Sequence, residues 1–199
     1  MTTKKVRTRG RPRQFDPDEA VATAQQLFHA RGYDAVSVAD VTEALGISPP
    51  SFYAAFGNKA GLYTRVLDRY AGAGAIPLGD ILRPERSVTD CLADLLEEAA
   101  RHYASDSVNT GCLVLEGTRC NDLEAREAAY AANLAGEIFI RNYIADRYPI
   151  EADTVTDFMT TVMSGLSAKA RNGHTLDQLL GTARLASLAL GSIFSTGTS

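Results

Sequence analysis

The stretch from Ser37 to Phe56 restricts the fold of this chain more than any other. Ser37, with Asp40 three residues on, opens a helix, and Gly46 stops it. Ser48 opens the next helix almost at once. Pro49 and Pro50 fall in its first turn, where missing N–H groups cost little, and Gly57 ends it. The two helices are short, about two turns each, and the turn between them contains a glycine. They make a helix-turn-helix, in which the first helix braces and the second enters the major groove of duplex DNA with its N-terminal side chains at base edges.

The flanking punctuation is helical as well. Asp16, Pro17 and Glu19 open a preceding helix whose Ala20, Val21, Ala24, Leu27 and Phe28 share one face, and Gly32 closes it. Asn58 caps a longer helix carrying Leu62, Val66, Leu67 and Tyr70. Gly72, Gly74, Pro77 and Gly79 mark a loose connection. Further helices are expected from Ser87 to Tyr103, around residues 112–118, from Asp122 to before Pro149, at 153–171 and at 175–193. The expected fold is all-α: an N-terminal three-helix helix-turn-helix domain plus a C-terminal helical effector and dimerisation domain. The boundaries are a basic arm over 1–14, the DNA-binding domain over 15–60, and the remainder over 61–199.

Charge divides the same way. The net charge is −4, but residues 1–60 carry +2 and the rest −6. Residues 1–13 hold six cations and no acid, which suits a nucleic-acid-binding head on an acidic body. No apolar run approaches the roughly 20 residues needed to cross a bilayer, and the basic N-terminus lacks the apolar stretch of a signal peptide. The expected location is the cytoplasm, with no membrane partner.

Ser37, Ser48 and Ser51 sit at helix starts, where free N–H groups and the helix dipole favour phosphate. Ser51 and Tyr53 carry donors for phosphate or base, Pro49 offers an apolar surface to a thymine methyl, and Lys59 stands ready for an adjacent phosphate. Phe52 and Phe56 read as core. Arg11 and Arg13, in the run Arg9-Gly10-Arg11-Pro12-Arg13, suit a narrow minor groove.

These residues also carry a resemblance. GRPR at 10–13, LFHARGYDAVSVADVTEALGIS at 27–48, PPSFYAAFGNK at 49–59 and Leu62-Tyr63 resemble the DNA-binding domain of the TetR/AcrR family of bacterial regulators. The resemblance implies an all-helical homodimer that binds a palindromic operator, usually as a repressor. Its usual DNA contacts fall on Ser37, Val38 through its backbone, Ser48, Pro49, Pro50, Ser51, Tyr53 and Lys59. Ala54 and Ala55 stand where some relatives carry larger side chains, so direct base readout is expected to be thin, with DNA shape and the arm contributing more.

For the C-terminal part the resemblance implies that the last two helices pair with those of a second subunit. The expected interface residues are Val155, Met159, Val162 and Leu166 on one helix, and Leu179, Ala183, Ala186 and Leu190 on the other. It also implies a small effector among the middle helices, with Tyr103, Cys112, Glu116, Phe139, Tyr143, Phe158 and Met163 as pocket candidates. Few charges look buried there, so the effector is expected to be largely apolar.

Two other function classes stand beside this one. Cys112 lies near an expected helix start and Arg119 adjoins Cys120; both settings lower a thiol pKa and would suit a sensor of oxidation or metal. An enzyme carrying a DNA-binding head is the remote alternative, because no GxSxG, phosphate-binding Gly loop or HExxH occurs. The scattered His29, His102 and His174 and the unpaired cysteine spacings give no metal site, and no cofactor is expected.

Overall fold

The computed structural model describes residues 16–195. These residues form ten helices and no strand. The head contains α1 (Pro17–Arg31), α2 (Val38–Leu45), α3 (Pro49–Phe56) and α4 (Lys59–Ala73). The body contains α5 (Leu78–Ile81), α6 (Val88–Tyr103), α7 (Leu113–Gly117), α8 (Leu123–Ala145), α9 (Ala152–Arg171) and α10 (Leu176–Ser195). The all-helical expectation holds, and the single turn α5 is an addition. It lies inside the Gly- and Pro-rich connection, too short to show a helical period.

Local chemistry sets most of the starts. Asp16, Ser37, Ser48, Asn58, Ser87 and Asp122 each accept a backbone N–H of their own first turn. Ser37 and Asp40 form a full capping box. Gly46 closes α2 at φ 64° and ψ 34°, a left-handed conformation that side chains with a Cβ resist.

Two cores result. The first gathers Ala24, Phe28, Tyr33, Val36, Val41, Phe52, Phe56, Leu62, Tyr63 and Val66 from the head, together with Leu113, Cys120, Ala125 and Ala129 from the body. Packing therefore continues across residue 60: α4 lies between α1 and α8, and α7 sits on α8 beside it. The second core joins α6, α9, α10 and the C-terminal half of α8 through Leu92, Leu95, Leu96, Ile140, Ile144, Met159 and Leu166.

The apolar stripes of α9 and α10 face this second core. Val155, Met159, Leu166, Leu179, Ala183 and Leu190 are each at most 1% exposed within the single chain, and half-buried Val162 and Ala186 pack on the same cluster. Fully buried, the first six cannot meet a partner. Periodicity marks a covered face but not what covers it; here α6 does so for α10, and α6 and α8 for α9. The outer face of α10 instead carries Leu185 and Leu188, 70% and 72% exposed.

Candidate DNA-binding and effector sites

The helix-turn-helix presents one polar surface. Val41, Phe52 and Phe56 are buried on its inner side, while Ser37, Ser48, Pro49, Pro50, Ser51, Tyr53 and Ala54 are exposed and Val38 is half-buried. Phe52 and Phe56 pack with ring centroids 5.5 Å apart, which fixes the roll of α3 and turns Tyr53 outward at 52% exposure. At the N-terminus of α3, the Ser51 N–H donates to Ser48 Oγ at 3.3 Å, and the two hydroxyls lie 2.9 Å apart. Prolines at the first two helical positions leave few donors there, so hydroxyls supply the polar contacts this end can make.

The α2 end is held electrostatically. Asp40 accepts the Ser37 N–H at 2.7 Å and pairs with Arg31 at 3.1 Å. The Ser37 hydroxyl and backbone, then Arg31, hold the Asp40 carboxyl at a pKa of about 2. Lys59 has an inward task that sequence reasoning missed. Its ammonium donates to the carbonyls of Tyr33 at 3.1 Å and Val36 at 2.9 Å, and lies 3.9 Å from the centre of the Tyr33 ring. It thereby ties the start of α4 to the segment leading into α2; one of its three protons remains for an outside acceptor. Arg11 and Arg13 lie outside the described residues.

A polar seam joins head to body. Tyr33 donates to Asp122 at 2.6 Å, Asn121 to Asp34 at 2.9 Å, Asn58 to Glu124 at 3.1 Å, and Arg171 to the His29 carbonyl at 3.1 Å. Gly117 permits the closest approach: a Cβ there would stand 2.2 Å from the Tyr63 hydroxyl and 2.9 Å from Ala129.

In the body, a cavity of about 130 Å³ opens between the end of α4 and helices α6 to α9. Of the residues named as pocket candidates, Tyr103, Cys112 and Met163 line it. The other pocket candidates do not. Glu116 pairs with Arg171 at 3.3 Å, Tyr143 donates to the Arg83 carbonyl at 3.1 Å, Phe139 is 45% exposed, and Phe158 packs half-buried on the second core. The lining instead includes Tyr70, Ile76, Leu115, Asn133, Gly136, Glu137, Ile140 and Thr160. Five chain segments build this wall, so no single periodicity reveals it.

The thiols behave contrary to the sequence expectation. Burial pushes Cys112 and Cys120 above the ordinary thiol pKa and outweighs the backbone donors that act against it. Both stay protonated at neutral pH, the less reactive form. The second sensor class loses the activated thiol on which it rested.

Comparison with known proteins agrees with this architecture. Residues 20–66 match the model of bacterial regulatory proteins of the tetR family. The chain is 54% identical over 193 residues to the HTH-type transcriptional repressor BdcR of Escherichia coli (strain K12), covering 97% of this chain and 98% of that one. It is 32% identical over 186 residues to the HTH-type transcriptional repressor ComR of the same organism, covering 87% and 88% of the two chains. Among solved structures, a cysteine mutant of the TetR family transcriptional regulator CifR, complexed with 26 bp double-strand operator DNA, superposes with a TM-score of 0.80. It shares 34% identity, covering 90% of this chain and 99% of that one. Motif, exposed polar surface and full-length similarity agree: the chain belongs to the tetR family of bacterial regulatory proteins and is a DNA-binding transcriptional regulator.

Proposed function

We propose that the protein is a cytoplasmic repressor that holds a palindromic operator as a homodimer and lets go when a small effector fills the cavity beside α4. One observation carries this reading. The last turn of α4 and the residues after it (Tyr70, Ala75 and Ile76) form cavity wall, while the first turn of the same helix holds the helix-turn-helix through Lys59. A ligand that displaces Tyr70 or Ile76 therefore moves a rigid lever whose other end carries the head. For release, it must bind the displaced arrangement more tightly than the DNA-bound one.

The reading surface consists of Ser37, Val38, Ser48, Pro49, Pro50, Ser51 and Tyr53, with the remaining proton of Lys59 directed to phosphate and the Arg11 and Arg13 arm in the minor groove. The subunits meet through the outer faces of α9 and α10. Gly165 and Gly181 have open space where a Cβ would stand, and Leu185 and Leu188 are apolar and exposed. Small residues permit close helix approach, and the leucines supply apolar area; a two-fold axis through this face matches a palindrome.

Selection of bound duplexes from a random library should recover an inverted repeat, and sedimentation should give a dimer. The double variant Leu185→Lys with Leu188→Lys should sediment as a monomer and lose the operator while remaining helical. Recovery of a single asymmetric half-site, or a wild-type monomer, would overturn the dimeric reading.

A further inference from the structure

Resting on the reading of this cavity as the effector site, we infer that its ligand is a compact amine that binds as an ammonium ion. Size sets the first limit. At about 130 Å³ the cavity is close to the roughly 150 Å³ void known to take up benzene, and it opens to the surface, so the part of the ligand it holds is a single ring or a short branched chain.

Charge sets the second. Glu137 is the one formally charged side chain among the described residues that line the cavity. It accepts a hydrogen bond from Asn133 Nδ2 at 2.8 Å and has no arginine or lysine within ion-pairing distance among the described residues. A carboxylate in a mostly apolar wall repels an anion and attracts a cation more strongly than it would in water. The aromatic side chains of the wall suit the same guest. Tyr103, 2% exposed, and Tyr70 each contribute a ring to the wall. Tyrosine faces stabilise an ammonium by cation–π attraction, and a phenol oxygen has a lone pair for an N–H.

Gly136 bears on the room available rather than on charge. It lies within the 23-residue helix α8, lines the cavity, and has nothing within 4 Å of the position of an added Cβ. Glycine costs about 1 kcal/mol against alanine inside a helix, and here no neighbour demands it. Its missing side chain leaves the cavity open one turn from Asn133 and beside Glu137.

Three probes of nearly one shape separate the cases in calorimetric titrations of the full chain: benzylammonium, benzyl alcohol and benzoate. Benzylammonium should bind at least about tenfold more tightly than either of the others, the ratio expected from one charge-assisted contact. Glu137→Gln keeps the size of the side chain and an acceptor for Asn133; it should abolish the preference while benzyl alcohol binding persists. Gly136→Leu should plug the cavity and abolish all binding. If benzyl alcohol or benzoate equals benzylammonium, and binding is lost in Gly136→Leu, the ammonium assignment falls and the cavity reading stands. If binding survives Gly136→Leu, or no probe binds, both fall.

Discussion

The head is packed with aromatic rings, the body with aliphatic side chains. In the first core Phe28 lies edge-on to Tyr63 at 5.2 Å, Tyr33 meets Tyr63 at 4.9 Å, and Phe28 stacks on Tyr33 at 5.6 Å. Tyr33 and Tyr63 are also anchored by hydroxyl bonds to Asp122 and to the Leu113 carbonyl. The second core is dominated by leucine and alanine from α6, α9 and α10, and the cavity lies beside it. Rings have few rotamers and directional contacts, so they specify one arrangement. Aliphatic side chains around an opening can shift at smaller cost. A regulator that works as proposed needs both: a reading surface that keeps its shape and a sensing region that changes.

The sharpest way to break this contrast compares two truncations. Phe28→Ala should cost about 3–5 kcal/mol in urea unfolding and should weaken operator binding even where the protein remains folded. Leu95→Ala, fully buried in the body, should cost about 2–5 kcal/mol yet leave operator affinity nearly unchanged. Equal losses of affinity in the two variants would erase the distinction. Next in size is Gly117→Ala, which forces Tyr63 or Ala129 aside and should cost about 1–3 kcal/mol by overpacking. The Tyr63→Phe background should recover part of that loss, since it removes the hydroxyl an added methyl would strike. Lys59→Ala should cost about 1–2 kcal/mol through the lost carbonyl bonds, and should also lower the salt slope of operator binding by about one. A stability loss with an unchanged slope would confine Lys59 to its inward role.

The smallest effect is the pH dependence of the seam. Burial lowers the pKa of His29, which lies 3.1 Å from the Gly111 carbonyl, and of His102, which lies 3.3 Å from the Tyr70 hydroxyl. Both histidines are therefore harder to protonate in the folded chain than in the unfolded one. The unfolded state takes up more protons, so stability is full above the ordinary histidine pKa of about 6.5 and declines as pH falls below it. Unfolding midpoints at pH 7.5 and 5.5 should differ in that direction, and the double variant His29→Gln with His102→Gln should narrow the difference.

What the sequence disclosed follows from the range of each interaction. Ser37, Ser48, Asn58 and Asp122 were legible as helix starts because a cap bonds within its own first turn. Phe52 read as core from its apolar ring and Tyr53 as outward from its hydroxyl donor and the family resemblance, and the structure buries the first and exposes the second. Met159 and Leu179 misled as interface residues because a stripe is silent about its partner, and Glu116 because its partner Arg171 lies 55 residues away. Glu137 and Gly136 escaped notice because an isolated acid and an isolated glycine on a long helix look like surface until α4 and α7 close around them.

Tyr70 belongs to the aromatic core of the head and also forms part of the cavity wall. A change at this position made to suit a new effector alters the footing of the DNA-reading helices as well. If the cavity is the effector site as proposed, inherited variation in what such a protein senses should accumulate first at Met163, Thr160 and Leu115, which touch the cavity without belonging to the head's core. Tyr70 should be the last of the wall to change, because a single mutation there is selected twice.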